Sequence, residues 1–316
     1  MPNVIKRSVG IAGAGRIGTR CAYSVALSGV ADAVVLFDVD KQRAISEASD
    51  IGDAVAYFPH EVIVSAGGYA ELAACDIVVM AAGIQSDSKD RLSLIEGNLH
   101  IAEDIADNLK NCGFDGILVI LTNPCDVLSF HISERMGLPA GRVFSTGTAL
   151  DSARLKKHVA RATGLEHNSL SAIVMGEHGA SLSIPWSKVT VYGQEIGKLA
   201  ETDSAFDVPR EEIRQKVLNG AWAAVEGKGV AEYGVAAAFM RCAQAIFHDE
   251  KAVLPISTLL KGEYGVSDVF AGVPAVLGQN GVERVIELDL LPEELAEFRK
   301  SCDRLKGAIA QLKTDK

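Results

Sequence analysis

The chain has 316 residues and a formal net charge of -10, with 31 Lys and Arg against 41 Asp and Glu, which argues against sequence-independent binding to nucleic acid or an anionic membrane. Hydrophobic residues make up 48% and charged residues 23%, a globular balance, and the length allows one large or two medium domains with ample core. No apolar run reaches the length of a bilayer span. The N-terminal apolar segment runs straight into glycines rather than into a secretory cleavage site, and the six cysteines (Cys21, Cys75, Cys112, Cys125, Cys242, Cys302) form no CxxC pair, so the expected class is a reduced, cytoplasmic enzyme without a disulfide framework or metal site.

In chain order, "SVGIAG" (8–13) reads as a strand and 16–29 as a helix. "AVVLFD" (33–38) is a strand and "KQRAISEASDIGDAV" (41–55) a helix. "EVIVSA" (61–66), "DIVVMAA" (76–82) and "GILVILT" (116–122) are strands, the last two flanking a long helix over 91–112. Continuously apolar strands alternating with helices indicate a parallel sheet covered on both faces. Past about residue 146 the texture changes. A helix over 151–163 precedes a strand-like stretch (170–176), a hairpin in "SKVTVYGQEIGKL", helices over 209–226 and 230–247, and the strand-like runs "AVLPISTLL" and "VPAVLGQNGVERVIEL", the latter with a turn at Asn280 and Gly281. A charged helix over 292–313 closes the chain. The expectation is an α/β fold: a Rossmann-type doubly wound parallel sheet over 1–145, followed by an α+β substrate domain over 146–316.

"GIAGAGRIGTR" (10–20) places G-x-G-x-x-G at Gly13, Gly15 and Gly18, at the turn from the first strand into the first helix, and Asp38 ends the second strand 20 residues after Gly18. Gly13 suits the tight turn, Gly15 the approach of a backbone to a pyrophosphate, and Gly18 close packing of helix on strand. The helix N-terminus offers amide donors. Asp38 accepts hydrogen bonds from a ribose 2'-hydroxyl and repels a 2'-phosphate, which favours NAD over NADP. FAD or S-adenosylmethionine is the other ligand such a crevice takes.

Four further stretches carry titratable or pocket-forming residues. "STGTALDSARLKKH" (145–158) sets Asp151 and Arg154 on one helix face. "ILTNPCD" (120–126) ends a strand at Asn123, at the sheet edge where ligands bind in open α/β folds. "AAGIQSDSKDRLSL" (81–94) has the small, polar composition of a lid and carries Gln85 and Arg91. "MGEHGA" (175–180) holds His178, which alone reads better as an ordinary turn histidine than as a proton carrier.

In this order and spacing, "GAGRIG", "TNPCDV", "GTALDSARL" and "GEHG" resemble the family of L-lactate and L-malate dehydrogenases, including L-2-hydroxyisocaproate dehydrogenases, from about residue 8 to the C-terminus. The resemblance implies NAD-dependent hydride transfer at C2 of a short 2-oxo or 2-hydroxy acid. It implies His178 as acid–base group, Asp151 orienting its ring, Arg154 holding the substrate carboxylate, Arg91 polarising the C2 carbonyl and Asn123 lining the same pocket. It also implies a homo-tetramer or homo-dimer. Arg91, Asp151, Arg154 and His178 together speak against a non-catalytic NAD-binding protein.

Six residues before Arg91, malate enzymes of the family carry an arginine, whereas this chain has Gln85. A neutral amide leaves the second carboxylate of oxaloacetate unpaired in a closed site, so an L-lactate dehydrogenase acting on pyruvate is expected. Ala231, where lactate enzymes usually have threonine, widens the pocket beside C3 and keeps a broader L-2-hydroxyacid (hydroxyisocaproate-type) dehydrogenase open. Lys156 and Ser171 stand where enzymes activated by fructose 1,6-bisphosphate carry arginine and histidine, so no activation by that effector is expected.

Overall fold

The computed structural model describes residues 7–84, 91–220 and 222–314. The first half alternates as expected: β1 (Ser8–Ala12), α1 (Arg16–Ser28), β2 (Ala33–Phe37), α2 (Lys41–Val55), β3 (Ile63–Ala66), α3 (Tyr69–Ala73) and β4 (Ile77–Met80). Next come a 3-10 turn at Arg91–Leu94, α4 (Ile95–Asn111), β5 (Ile117–Ile120), α5 (Cys125–Met136) and β6 (Val143–Ser145). The long helix expected over 91–112 thus starts as a 3-10 turn.

The second half runs α6 (Ala149–Thr163), β7 (Leu170–Ser171), β8 (Thr190–Val191), β9 (Gln194–Glu195), α7 (Ile196–Ala200), α8 (Arg210–Asn219), α9 (Trp222–Lys228) and α10 (Tyr233–Phe247). It ends with β10 (Ala252–Lys261), β11 (Ser267–Gly278), β12 (Gly281–Val285) and α11 (Pro292–Thr314). Two differences from expectation stand out. The helix expected over 209–226 is two helices. The strand expected over 170–176 is only β7: the amide of Val174 donates to Ser152 Oγ (2.9 Å), and Met175 and Gly176 make single bridges to Ser183 and Gly272. An apolar run there serves a small core around Leu155, Val174, Leu182 and Ile213 rather than a ladder.

Among the described residues, β3-β2-β1-β4-β5-β6 form a parallel sheet, and β10, β11 and β12 continue it antiparallel through one pair, Ser257 opposite Ser145. β7, β8 and β9 make a separate small sheet. The central strands are buried on both faces because their side chains alternate. Val78, Met80, Leu118 and Ile120 pack with Leu99 and Ala102 of α4 and Phe298 and Leu305 of α11. Ile77, Val79, Ile117 and Val119 pack with Val25 of α1, Ala48 of α2 and Phe239 and Ala243 of α10. The late helices close these cores from outside, α10 against α1 and β11 and α11 against α5 and β11. Chain order reverses around β1, and the carboxyl ends of β1, β4, β5 and β6 open on one crevice, the place where such sheets bind ligands.

Candidate active site

The crevice begins at the glycine turn. Gly13 has φ +107°, and a Cβ there would lie 2.6 Å from the backbone nitrogen of Ala82. At Gly18 a Cβ would come within 1.8 Å of the carbonyl oxygen of Gly13, so both positions are closed to side chains by the fold itself. Gly15 differs: a Cβ there would meet nothing within 4 Å. It faces open space at the N-terminus of α1, where first-turn amides have no intrahelical acceptor and no side chain caps the helix. An anionic group fits that cradle.

Asp38 follows β2. Its Oδ2 accepts from the amide of Ala14 (2.8 Å) and its Oδ1 from the amide of Asp40 (3.0 Å). It lines, with Gly13, Gly15, Val39, Arg43 and Tyr69, a cavity of about 510 Å³. The open cradle and the anchored carboxylate at the end of the next strand fit a dinucleotide with a free ribose hydroxyl. Arg43, exposed on α2, was not anticipated; it brings a cation into the same cavity as Asp38.

A histidine–carboxylate–arginine cluster is assembled from distant stretches. Nδ1 of His178 lies 2.5 Å from Oδ2 of Asp151, and Oδ1 of Asp151 accepts from Nη1 of Arg154 at 2.9 Å. An ionised carboxylate only accepts, so the proton belongs on Nδ1. Asp151 and Arg154 sit in the first turns of α6, where the carboxylate is favoured by the helix dipole. Both are buried. The stem of Arg154 packs where Gly220 has no side chain; a Cβ there would lie 2.8 Å from Cδ of Arg154.

His178 is held from behind. Its amide donates to Oδ2 of the buried Asp126 on α5 (2.8 Å), and the amide of Glu177 donates to Ser301 Oγ of α11 (2.8 Å). Glu177, itself buried, accepts from the amide of Ser181 (2.9 Å) and pairs with Arg304 (3.3 Å). Gly176 exchanges two backbone hydrogen bonds with Gly272 of β11. Asp126 and Glu177 lie inside quoted motifs, and their signal was a carboxylate beside a chemical residue.

His178, Arg154, Asn123, Ala231 and Gly15 line one cavity of about 250 Å³. The glycine cradle and the His178 cluster therefore share one cavity. Oδ1 of Asn123 is buried without a hydrogen-bond partner, while its carbonyl accepts from Asn98 Nδ2 (2.7 Å). Asn98, 1% exposed on α4, also accepts from the amide of Ile84 (2.7 Å). It ties the end of the β4 segment to the end of the β5 segment. Sequence reasoning missed it; its only signal was one amide on the apolar face of an amphipathic helix. Arg91 opens the 3-10 turn ahead of α4, and Gln85 lies outside the described residues. Among the described residues, no group of three or more His, Cys, Asp or Glu is placed to hold a metal ion, and no helix is long and apolar enough to cross a membrane.

Residues 7–145 match the family model described as lactate/malate dehydrogenase, NAD binding domain, and residues 148–315 match lactate/malate dehydrogenase, alpha/beta C-terminal domain. The chain is 36% identical over 305 residues to an L-lactate dehydrogenase of Fusobacterium nucleatum, covering 96% of both chains. It is 38% identical over 313 residues to L-lactate dehydrogenase 2 of Enterococcus faecalis, covering 98% of both. The crystal structure of the minor L-lactate dehydrogenase from Enterococcus mundtii in its ligands-bound form superposes with a TM-score of 0.92 at 36% identity, over 97% of this chain and 98% of that one.

Proposed function

The chain belongs to the lactate/malate dehydrogenase family, and from that membership and the geometry of its site we infer that it is an NAD-dependent L-lactate dehydrogenase, interconverting pyruvate and L-lactate. The observation that carries this reading is the placement of His178, with Asp151 and Arg154 behind it, across one cavity from the open cradle at Gly15. NAD, when bound, supplies the carbon that gives or takes the hydride at C2 of the acid.

The chain's residues do the rest. First-turn amides of α1 and Asp38 bind the dinucleotide, and Asn123 lines the cavity with its buried Oδ1 left without a hydrogen-bond partner. Arg154 presents its planar fork to the substrate carboxylate. In the reducing direction His178 delivers a proton to the C2 oxygen from Nε2, because Nδ1 is engaged by Asp151. Asp151 fixes the tautomer and balances the charge the ring takes on in the other direction. The family resemblance assigns Arg91 to polarising the C2 oxygen and Gln85, a neutral amide, to the position that selects against a second substrate carboxylate. Residues 1–145 carry the dinucleotide and 146–316 the substrate. The enzyme works in the cytoplasm as a homo-tetramer or homo-dimer, a state that light scattering distinguishes.

Ala231 favours a second reading. Its small side chain on the cavity wall admits larger C3 groups, as a broader L-2-hydroxyacid dehydrogenase requires. Rates of NADH oxidation with pyruvate, oxaloacetate and 2-oxoisocaproate decide. The primary reading expects pyruvate to give the highest kcat/KM. Highest efficiency on 2-oxoisocaproate supports the second reading, and no oxidation with any of the three overturns both.

A further inference from the structure

Glu232 stands between Ala231 and the first residue of α10, and its side chain is 3% exposed. At the N-cap of α10 it makes no capping hydrogen bond. Its carboxylate turns instead to Arg16, the first residue of α1, which grips it with two parallel bonds: Nε to Oε2 and Nη2 to Oε1, both 3.2 Å. Lys228 adds Nζ to Oε1 at 2.7 Å, and Arg20 stands 3.9 Å from Oε2. Three cations, 37 to 51% exposed, thus converge on one buried carboxylate. Lys228 above all, with Arg16, holds its carboxyl below the usual carboxylate range, so it is charged at neutral pH.

Arg16 has a second hold on the same segment. Its Nη1 donates to the carbonyl of Lys228 at 2.6 Å, alongside Gly229, whose φ is +87° and whose missing Cβ leaves the guanidinium room. Arg16 therefore spans the turn over residues 228–232 from both ends. Val230 and Ala231 lie between those anchors and line the substrate cavity, as does Arg16 itself. The backbone of Arg16 follows Gly15 directly, at the helix end that an anionic group approaches. A ligand seated there restrains the same residue that clamps the cavity wall.

We propose that Glu232 is a positioning residue that, through Arg16, locks the substrate-cavity wall at Val230 and Ala231 to the dinucleotide cradle, so that filling the cradle sets the width of the acid pocket. The inference rests on the NAD-dependent reading above. The wall beside C3 is firm only after the cradle is occupied. A bidentate arginine–carboxylate pair suits this task, since it fixes orientation as well as distance.

The test compares wild type with Glu232→Gln, which keeps size and loses charge, and with Arg16→Met, a change at a half-exposed side chain that leaves the core untouched. The first readout is amide hydrogen exchange over residues 228–236 with and without saturating NADH, which needs no turnover. Wild type is expected to slow about tenfold or more on NADH binding, and each variant to slow by less than about threefold while still binding NADH, in line with coupling carried by one contact. The second readout is selectivity. KM for pyruvate should rise about tenfold with kcat changed less than about threefold, and the preference for pyruvate over 2-oxoisocaproate should narrow; the double variant should be no worse than either single one. A wild type that binds NADH yet reduces no 2-oxo acid would sink the proposed activity and leave the exchange comparison to decide this inference. NADH-dependent protection of 228–236 that is the same in wild type and both variants overturns it.

Discussion

The cradle around Gly13, Gly15 and Gly18 and the cluster around His178 share a cavity but are built on opposite principles. The cradle is made of absences: two positions where a Cβ would strike backbone, and one where it would enter empty space. It comes from one continuous stretch of chain. The cluster is made of charges taken out of water. Asp151 serves both His178 and Arg154, while Asp126 of α5 and Ser301 of α11 accept from the amides of His178 and Glu177. It comes from four stretches separated by dozens of residues. The lesson is that the two halves of the site fail differently. Steric change should empty the cradle and leave the chemistry poised, whereas charge neutralisation should stop the chemistry and leave the cradle filled.

The largest expected effect tests the charged half. Asp151→Asn leaves one acceptor oxygen where the carboxylate gives one each to His178 and Arg154, and removes the charge they share, so kcat/KM for pyruvate should fall about 100- to 10,000-fold with NADH affinity changed little. Steady-state kinetics beside NADH fluorescence titration checks this, and comparable losses in both would erase the contrast. Gly15→Val tests the steric half. Its Cβ enters the cradle with nothing within 4 Å, so thermal stability should hold while NADH binds about 10- to 100-fold more weakly. A variant that unfolds, or that binds NADH normally, would show that Gly15 does not face the ligand. The smallest effect sharpens a charged feature beside the cradle. Asp38→Ser removes repulsion of a 2'-phosphate, and Arg43 in the same cavity offers it a partner, so the NADPH-to-NADH efficiency ratio should rise about tenfold. An unchanged ratio would place selectivity elsewhere.

How far each half could be read in advance follows from the same contrast. Gly13, Gly15, Gly18 and Asp38 are legible because their spacing is local and each glycine has its own steric reason. His178, Asp151 and Arg154 are a constellation only by resemblance; no local pattern says that residue 178 meets residue 151. The supports behind them were invisible. α5 is buried nearly all round, from Cys125 to Phe130, so no apolar stripe of period 3.6 marks it. β6 has three residues and shows no strand pattern. The run "SAIV" reads as a strand, yet the hydroxyl of Ser152 takes the hydrogen bond of Val174 that a ladder would have taken. Asn98 and Glu232 are single polar residues that meet Ile84, 14 positions away, and Arg16, 216 positions away. Tertiary closure decides such contacts, and sequence spacing carries no trace of them.

The central claim is that His178 moves the proton while the cradle holds the cofactor independently. Its most direct test is His178→Asn, measured twice on the same purified protein: NADH binding by fluorescence, and pyruvate reduction under conditions where chemistry limits the rate. The account predicts NADH affinity near wild type with turnover reduced about 100- to 10,000-fold. A variant that keeps more than about half of the wild-type rate would contradict it, since losing a true general acid–base group cannot cost so little.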